Sequence, residues 1–260
     1  MLDSFAQAAL FVTSEYFIIA LVSVGYLTYQ KPIFGRALFL LLFTMILNPF
    51  LKDIWQIPLN PALGKTGYSF PSGHMQATTV LWLWLAFDLK KPFFAASSII
   101  LLGVVGFSLH HFGYHDWQDI SAAVGFAVAS ILVFAVVTKL LKEKWHPYLG
   151  SVLALLGLVL IHFTSTHQAH VWIAIGALFG FSAGWSLYHR WDPEQWLFKK
   201  RFKVASGFAG IFIVYVLTEF IENFLVQETF NFVRFFLVAL WVSYGAEFFV
   251  FKVHQKIHKS

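Results

Sequence analysis

Long apolar segments separated by short polar breaks make up most of the chain. A membrane-spanning helix needs about 20 mostly apolar residues, and nine segments approach or exceed this length. They cover residues 8–29, 33–51, 71–88, 92–110, 119–140, 147–164, 169–188, 203–226 and 232–252. The breaks carry helix-ending pairs such as Lys31-Pro32 and Lys91-Pro92. The pattern therefore predicts an all-α, polytopic membrane protein with about nine transmembrane helices.

The composition agrees with a membrane protein and excludes several kinds of site. Hydrophobic residues make up 58% of the chain and charged residues 12%, against about 25% charged residues in soluble domains. The net charge of +5 indicates basic cytoplasmic loops rather than a nucleic-acid partner. The chain has no cysteine, which excludes disulfides, thiolate metal sites and cysteine nucleophiles.

The basic residues are distributed unequally between the two sets of loops. All but three of the 18 basic residues lie on one side, and the exceptions are Lys52, Lys65 and Arg234. The positive-inside rule places the basic side in the cytoplasm, with the N-terminus outside and the C-terminus cytoplasmic. Compact loops and the lack of a C-terminal dilysine signal favour a bacterial inner membrane. The polar segments 51–70 and 110–118 then face the periplasm, or the lumen of the endoplasmic reticulum in a eukaryote.

A histidine and an aspartate stand four residues apart where the fifth segment begins. His115 and Asp119 share one face of a helix at this spacing. A carboxylate that accepts from one ring nitrogen fixes the tautomer and leaves the other nitrogen available as a nucleophile or base. The pair is a candidate catalytic unit.

The stretch Phe70 to Gln76, FPSGHMQ, opens the third apolar segment. Pro71 suits the first turn of a helix, and the amides after Ser72 and Gly73 form an anion site at the helix start. His74 is placed to protonate a leaving oxygen, and Lys52 offers a fixed positive charge. The alternative is a plain helix cap, since proline and serine are favoured at helix starts.

These residues resemble the motifs of the type 2 phosphatidic acid phosphatase superfamily, which are K-x6-R-P, P-S-G-H and S-R-x5-H-x3-D. The second motif is intact at residues 71–74, and the first matches at Lys52. The third matches at Ser108, His115 and Asp119. The resemblance covers residues 40–140. It divides the chain into a phosphatidic acid phosphatase-like transmembrane core, 1–165, and additional C-terminal transmembrane helices, 166–260.

The resemblance implies a mechanism and a role for each matching residue. In a helical bundle of this family, His115 attacks phosphorus to give a phosphohistidine, Asp119 orients it, and His74 protonates the leaving alcohol. The phosphate oxygens are held by residues of all three motifs, here Lys52, Ser72, Gly73 and Ser108. No metal or other cofactor is required.

Both motif arginines are replaced in this chain. Leu59 and Leu109 stand where the family has the arginines that clamp phosphate, a role for which guanidinium geometry is favoured. Lys65, His110 and His111 lie in the right loops to substitute, although none has the geometry of arginine.

Three functions follow from this mixture of matches and departures. The favoured one is a phosphatase for a lipid or isoprenoid phosphate monoester or pyrophosphate. The second is a headgroup transferase or phospholipase-C-like enzyme, because a phosphodiester carries one charge and needs fewer cations. The third is a non-catalytic member that acts as a binding or scaffold protein.

Two polar groups lie outside the motifs. Glu219 and Glu222 either line a substrate cavity or pair with Arg234. Three histidines near one predicted turn, His162, His167 and His170, match no strong metal-ligand spacing.

Overall fold

The computed structural model describes residues 2–64, 66–164, 168–190 and 200–257, and within these ranges all side chains except those of 15, 16, 256 and 257. Eleven helices account for most of these residues. They are α1 (Leu2–Phe11), α2 (Glu15–Thr28), α3 (Lys31–Trp55), α4 (Gly73–Leu89), α5 (Pro92–His111), α6 (Trp117–Leu140), α7 (Leu149–His162), α8 (Ala169–Arg190), α9 (Lys200–Glu219), α10 (Gln227–Leu240) and α11 (Ala246–Ile257). A π-helical turn, Trp241–Gly245, joins α10 to α11. The described part of the chain contains no strand beyond an isolated bridge between Pro58 and Tyr68.

Seven helical segments within the described ranges are long and apolar enough to cross a membrane. They are Lys31–Trp55, Pro92–His111, Trp117–Leu140, Glu143–His162, Ala169–Arg190, Lys200–Glu219 and Gln227–Gln255. The other two predicted segments correspond to the shorter helices α4, with 17 residues, and α2, with 14. The protein is therefore all-α and polytopic, as predicted, with seven full-length candidate spans instead of nine.

The first predicted segment is shorter because two hydroxyl side chains interrupt it. Thr13 Oγ1 donates to the Leu10 carbonyl at 2.7 Å, which closes the end of α1. Ser14 Oγ accepts from the Phe17 N–H at 3.3 Å and caps the start of α2. Such local side-chain bonds compete with helix continuation, so one apolar segment becomes two helices.

The central helix of the bundle is α3, which packs against α4, α7 and α8. Its apolar side chains are buried on nearly every face. Aromatic rings pack against its N-terminal half, where the ring centroid of Phe39 lies 5.6 Å from those of Phe181 and Trp185. A helix that is apolar all round belongs in the interior of a bundle, and α3 thereby fixes the position of Lys52 at its far end.

Helices α8 and α10 pack with their backbones in close contact. A Cβ atom added to Gly176 or Gly180 would overlap the carbonyl oxygens of Phe232 or Phe236 in α10. Small residues at four-residue spacing permit this approach between membrane helices. The C-terminal helices thus form one closely packed unit against the rest of the bundle.

The two ends of the bundle differ in their polar groups. At one end, termed the basic end, Arg36 pairs with Asp88 at 2.8 Å, and Glu247 pairs with Lys31 and Lys203 at 3.0 Å each. At the other end, termed the site end, α3 and α5 finish and α4, α6 and α8 begin. The three candidate motifs adjoin these helix termini, so the fold brings them to the same end.

Candidate active site

His115 lies in the turn between α5 and α6 and contacts Asp119. The Asp116 carboxylate accepts from the N–H groups of Gln118 and Asp119 at 2.9 Å each, which starts α6 and places Asp119 in its first turn. His115 Nδ1 lies 3.0 Å from Asp119 Oδ2, and Ser69 Oγ donates to Asp119 Oδ1 at 3.3 Å. Because an ionised carboxylate only accepts, Nδ1 carries the proton. The lone pair of Nε2 is therefore available for chemistry.

The protonation of His115 is set mainly by burial. The side chain is 9% exposed, and this desolvation lowers the pKa of the imidazole below its usual value of 6.5. The hydrogen bond and charge of Asp119 raise the pKa, and the more distant Lys52 lowers it. Desolvation has the larger effect on the pKa, because burial disfavours the charged imidazolium more than the Asp119 carboxylate stabilises it. His115 is consequently neutral at neutral pH, which a nucleophile or base requires.

The start of α4 is capped by Ser72. Its fully buried hydroxyl accepts from the Met75 N–H at 3.4 Å, and its own N–H donates to the Asp119 carbonyl at 3.2 Å. The helix therefore begins at Gly73, and Pro71 lies before the cap instead of in the first turn, which corrects the sequence-based placement. The cap joins the start of α4 directly to the residue that orients His115.

Asn48 of α3 binds the residues on both sides of the Ser72 cap. Its Nδ2 donates to the Pro71 carbonyl at 3.1 Å and to Gln76 Oε1 at 2.8 Å. A Cβ on Gly73 would lie 2.9 Å from Asn48 Oδ1, so only glycine fits without a shift. The amides of Gly73 and His74 belong to the first turn, where backbone N–H groups have no partner within the helix. This is the arrangement that binds anions at helix starts.

A cavity of about 390 Å³ connects these groups to the interior of the bundle. Its polar lining comes from four parts of the chain. These residues are Asn48, Lys52, Gly73, His74, His115, Gln168 and His170. Farther along, the lining is almost entirely apolar, with side chains from α2, α3, α8, α10 and the π-helical turn. The structure thus brings Lys52, His74 and His115 to one cavity.

Lys52 is held at the mouth of this cavity by the loop between α3 and α4. Its Nζ donates to the Tyr68 carbonyl at 2.7 Å. The loop itself is tied together by the bonds from the Ser69 N–H to the Ile57 carbonyl and from the Leu59 N–H to the Gly67 carbonyl. One ammonium position is therefore fixed beside the start of α4.

Four predicted phosphate ligands do not line the cavity: Ser72, whose buried hydroxyl caps α4, and Ser108, His110 and His111. Ser108 is fully buried, and its hydroxyl donates to the Val104 carbonyl at 2.7 Å within α5. His110 Nδ1 donates to the carbonyl of His115 at 3.3 Å. His111 Nε2 lies 2.7 Å from Asp3 Oδ1 of α1. These contacts support the turn and the packing of α1. Lys65, the third candidate substitute for the arginines, lies outside the described residues.

The two leucines that replace the motif arginines point away from the cavity. Leu109 is 2% exposed and belongs to an apolar cluster with Met75, Val105 and Ile120. Leu59 lies half-buried in the loop beside Gly67. In this backbone an arginine at position 109 would enter the apolar cluster, and burial of an unpaired charge is costly.

Four residues of the site were not identified from the sequence. Asn48 and Ser69 bond the motif segments, while Gln168 and His170 line the cavity from the start of α8. No motif spacing pointed to them. The contacts of Asn48 and Ser69 depend on how α3 and α6 pack around the start of α4, and those of Gln168 and His170 depend on how α8 packs against α3. His170 had been considered only for metal binding with His162 and His167, of which His167 lies outside the described residues.

The fold and the site define a polytopic, all-α membrane protein with a polar site at one end of its bundle. Residues 172–256 match the family model described as the PAP2 superfamily phosphatase, transmembrane extension. The match supports membership of this superfamily, and the matched range lies within the C-terminal helices of the chain. No curated protein and no solved structure matches the chain.

Proposed function

We propose that the protein is a membrane phosphatase that hydrolyses a lipid or isoprenoid phosphate monoester or pyrophosphate through a phosphohistidine on His115. One observation carries the proposal. His115, His74 and Lys52 line one cavity whose deeper part is apolar, which suits an anionic headgroup joined to a hydrocarbon. The match of residues 172–256 to a phosphatase superfamily supports the same chemistry.

In the first step, Nε2 of neutral His115 attacks phosphorus. The N–P bond forms as the bond from phosphorus to the leaving oxygen breaks, and His74 donates a proton to that oxygen. Asp119 keeps the proton of His115 on Nδ1 and stabilises the positive charge that develops on the ring. The product is an alcohol, or a phosphate ester when the substrate is a pyrophosphate.

In the second step, water attacks the phosphohistidine. His74, now neutral, takes a proton from the water as the P–N bond breaks, which releases inorganic phosphate and restores both histidines. Lys52 and the first amides of α4 bind the phosphate oxygens in both steps. Side chains and water account for every proton and bond in the cycle.

The site end of the bundle lies on the non-cytoplasmic side in this proposal. At the opposite end, Lys31, Arg36, Lys90, Lys200 and Lys203 line one large depression. The positive-inside rule supports a cytoplasmic location for that end and for the C-terminus. The site then faces the periplasm of a bacterium or the lumen of the endoplasmic reticulum.

A second candidate function is cleavage or transfer of a phosphodiester headgroup. Lys52 is the one lysine or arginine among the described residues of the cavity. A diester carries one negative charge and a monoester up to two, so a single cation is better matched to the diester. Retention of the fold without catalysis is the remaining alternative.

Release of inorganic phosphate from the monoester and the pyrophosphate, and of diacylglycerol from phosphatidylcholine, by the purified protein tests these functions. The substrates are an alkyl monophosphate, an isoprenyl pyrophosphate and phosphatidylcholine, each assayed with wild type and His115→Ala. We expect monoester or pyrophosphate turnover that falls at least about 10³-fold in the variant, and an acid-labile, alkali-stable phosphoprotein in quenched wild-type reactions. His162→Ala, an exposed histidine at the same end and outside the cavity, is the matched control.

Other outcomes of this assay would lead to different conclusions. Cleavage of phosphatidylcholine alone would favour the diester enzyme. If wild type and His115→Ala both release product only at the background rate, the non-catalytic function is favoured.

A further inference from the structure

We propose that the depression at the basic end binds an anionic phospholipid whose headgroup carries two phosphates, as in cardiolipin. The site lies at the opposite end of the bundle from His115, and none of its residues lines the candidate active site. The proposal is therefore independent of the proposed function. Its assignment to the cytoplasmic leaflet alone uses the proposed orientation.

Helix ends from both parts of the chain form this depression. The core contributes the end of α2, the start of α3 and the end of α4, whereas the C-terminal helices contribute Lys200 and Lys203 at the start of α9. Lys90, directly after α4, and Lys200 are both exposed. A ligand held between these two lysines would contact the core and the C-terminal helices at once.

The charges around the depression do not balance. Arg36 pairs with Asp88 at 2.8 Å, and Glu247 contacts both Lys31 and Lys203 at 3.0 Å. The lining contains one further carboxylate among the described residues, that of Glu143. Five cations thus face three carboxylates, which leaves two positive charges. Two phosphodiester groups, with one negative charge each, match this excess.

Lys90 and Lys200 are the cations available to a ligand. Neither has an ion pair within the described part of the chain. An exposed ammonium group loses little hydration when it contacts a phosphate at the membrane surface, and each such lysine adds to the attraction for anionic lipids. These two side chains should therefore contribute most of the specific affinity.

The backbone adds positive potential to the same place. Lys31, Pro32 and Ile33 form the first turn of α3 and line the depression. In the described structure the side chain of Gln30 does not cap this helix. The amide groups of the first turn are consequently open to an anion, and the helix dipole favours negative charge there.

The backbone conformation of Lys90 points to a role for its charge. The residue ends α4 with a φ of 54°, and its N–H donates to the Ala86 carbonyl at 3.2 Å. Glycine is favoured at such a left-handed helix end. Gln56 is the other non-glycine residue with a positive φ in the described ranges. A lysine retained where glycine fits better indicates that the side chain is needed.

The level of the site in the membrane favours a lipid over a soluble anion. Lys31 and Lys200 are the first residues of two candidate membrane-spanning segments, which places the depression beside the lipid headgroups. Tyr29 also lines it and is 52% exposed, as is typical of aromatic side chains at a membrane interface. Basic pockets between helices on the cytoplasmic side are known to take headgroups such as that of cardiolipin.

Substitution of the two unpaired lysines tests the proposal. Binding of cardiolipin to the purified full-length protein in neutral detergent is followed by native mass spectrometry. We expect Lys90→Gly and Lys200→Gln each to raise Kd about fivefold and the double variant to raise it about 25-fold. Lys139→Gln removes an exposed lysine at the same end, outside the depression. This matched control should keep Kd within about twofold of wild type, because exposed charges at a distance are screened.

The glycine variant separates binding from a structural role of Lys90. Glycine relieves the left-handed backbone, so without lipid the midpoint of thermal unfolding of Lys90→Gly should equal or exceed that of wild type. Gln56→Gly makes the same backbone change at the site end and should leave the affinity for cardiolipin unchanged. A lower midpoint for Lys90→Gly together with an unchanged affinity would show a structural role and overturn the proposal.

Three other outcomes would also contradict it. Equal Kd values for wild type and the double variant would remove the depression as the site. Tighter binding of inorganic pyrophosphate than of cardiolipin would identify a soluble anion as the ligand. Equal Kd values for phosphatidylglycerol and cardiolipin would show that one phosphate suffices. No hydrolysis is measured in these experiments, so a failure of the proposed function leaves their interpretation unchanged.

Discussion

At the scale of single residues, Asp119 connects three parts of the site. Its two carboxylate oxygens contact His115 at 3.0 Å and Ser69 at 3.3 Å, and its carbonyl accepts from the Ser72 N–H at 3.2 Å. The residue therefore holds His115, the proposed nucleophile, together with the loop before α4 and the cap of α4. Such outer contacts orient a reactive imidazole as strictly as its direct substrate contacts do.

Acid should inactivate the enzyme through His115. Since burial lowers the pKa of this imidazole below 6.5, protonation removes the nucleophile only under acidic conditions, and kcat/KM should be on its plateau at neutral pH. Asp119 raises the pKa, so Asp119→Asn should move the acidic limb of the residual activity to lower pH. Profiles of wild type and variant with one substrate test this, because the titration of the substrate is common to both. A limb that moves to higher pH in the variant would contradict the assignment.

His170 should contribute to phosphate binding from the C-terminal helices. It shares the cavity mouth with Lys52, and a hydrogen bond to a charged group is worth about 1.5–3 kcal/mol. We expect His170→Ala to raise KM for a monoester about tenfold or more with a smaller change in kcat. Steady-state kinetics beside His162→Ala check this. An unchanged KM would show that the phosphate does not reach α8.

The spacing of the motifs was sufficient to predict which residues of those motifs meet at the site. Each of Lys52, Gly73, His74, His115 and Asp119 adjoins a helix end on the same side of the predicted membrane, so a helical bundle brings them together. The direction of a side chain depends on packing, so the motif alone did not show that Leu109, at the position of a family arginine, lies in an apolar cluster. The same limit applied to Ser69 and His170.

At the scale of secondary structure elements, the glycines of α8 determine how the C-terminal helices meet. Gly176, Gly180 and Gly184 lie against the backbone carbonyls of Phe232, Phe236 and Leu240. Their four-residue spacing is visible in the sequence and is typical of close helix pairs in membranes. Helix boundaries were less predictable, because the break at Thr13 and Ser14 depends on side-chain bonds that hydropathy does not record.

Adding a methyl group at this contact should destabilise the protein. Gly180→Ala forces Cβ into the Phe236 carbonyl, and overpacking of this kind costs about 1–3 kcal/mol. Gly103→Ala on α5 is the control, since nothing lies within 4 Å of its added Cβ and alanine is the better helix former. Thermal unfolding in detergent should show a lower midpoint for the first variant and an equal or higher midpoint for the second. Equal midpoints for Gly180→Ala and wild type would show that α10 shifts without cost.

At the scale of the whole molecule, a buried ion cluster joins the core to the C-terminal helices. Glu247 of α11 is 1% exposed and contacts Lys31 of α3 and Lys203 of α9 at 3.0 Å each. Lys31 also lies over the rings of Tyr26 and Tyr188, 4.4 and 4.2 Å from their centroids. Three helices that are distant in sequence therefore meet at the basic end, opposite the proposed chemistry. The exposed pair of Glu219 and Arg234, at 2.6 Å, shows that one of the two glutamates noted in the sequence pairs with Arg234.

Removal of the central carboxylate should loosen this junction. Glu247→Gln leaves two lysines facing each other without a counter-charge, and breaking a buried pair in this way costs about 3–5 kcal/mol. We expect a much lower midpoint of thermal unfolding than for Glu219→Gln, whose carboxylate is 65% exposed and whose pair contributes little. Similar midpoints for the two variants would mean that water reaches the cluster.

The packed rings of Phe181, which lines the cavity, and Tyr26, which lines the depression at the basic end, stand between the two ends of the bundle. In the proposed function the headgroup binds only at the site end, among Lys52, His74 and His115, so the enzyme receives amphiphiles from a single leaflet. A phosphate ester in the opposite leaflet stays intact until another protein flips it. Loss of the charged head yields an alcohol that crosses the bilayer far more readily, because it no longer carries an ion through hydrocarbon. The enzyme would thus turn a lipid confined to one leaflet into one that equilibrates between both.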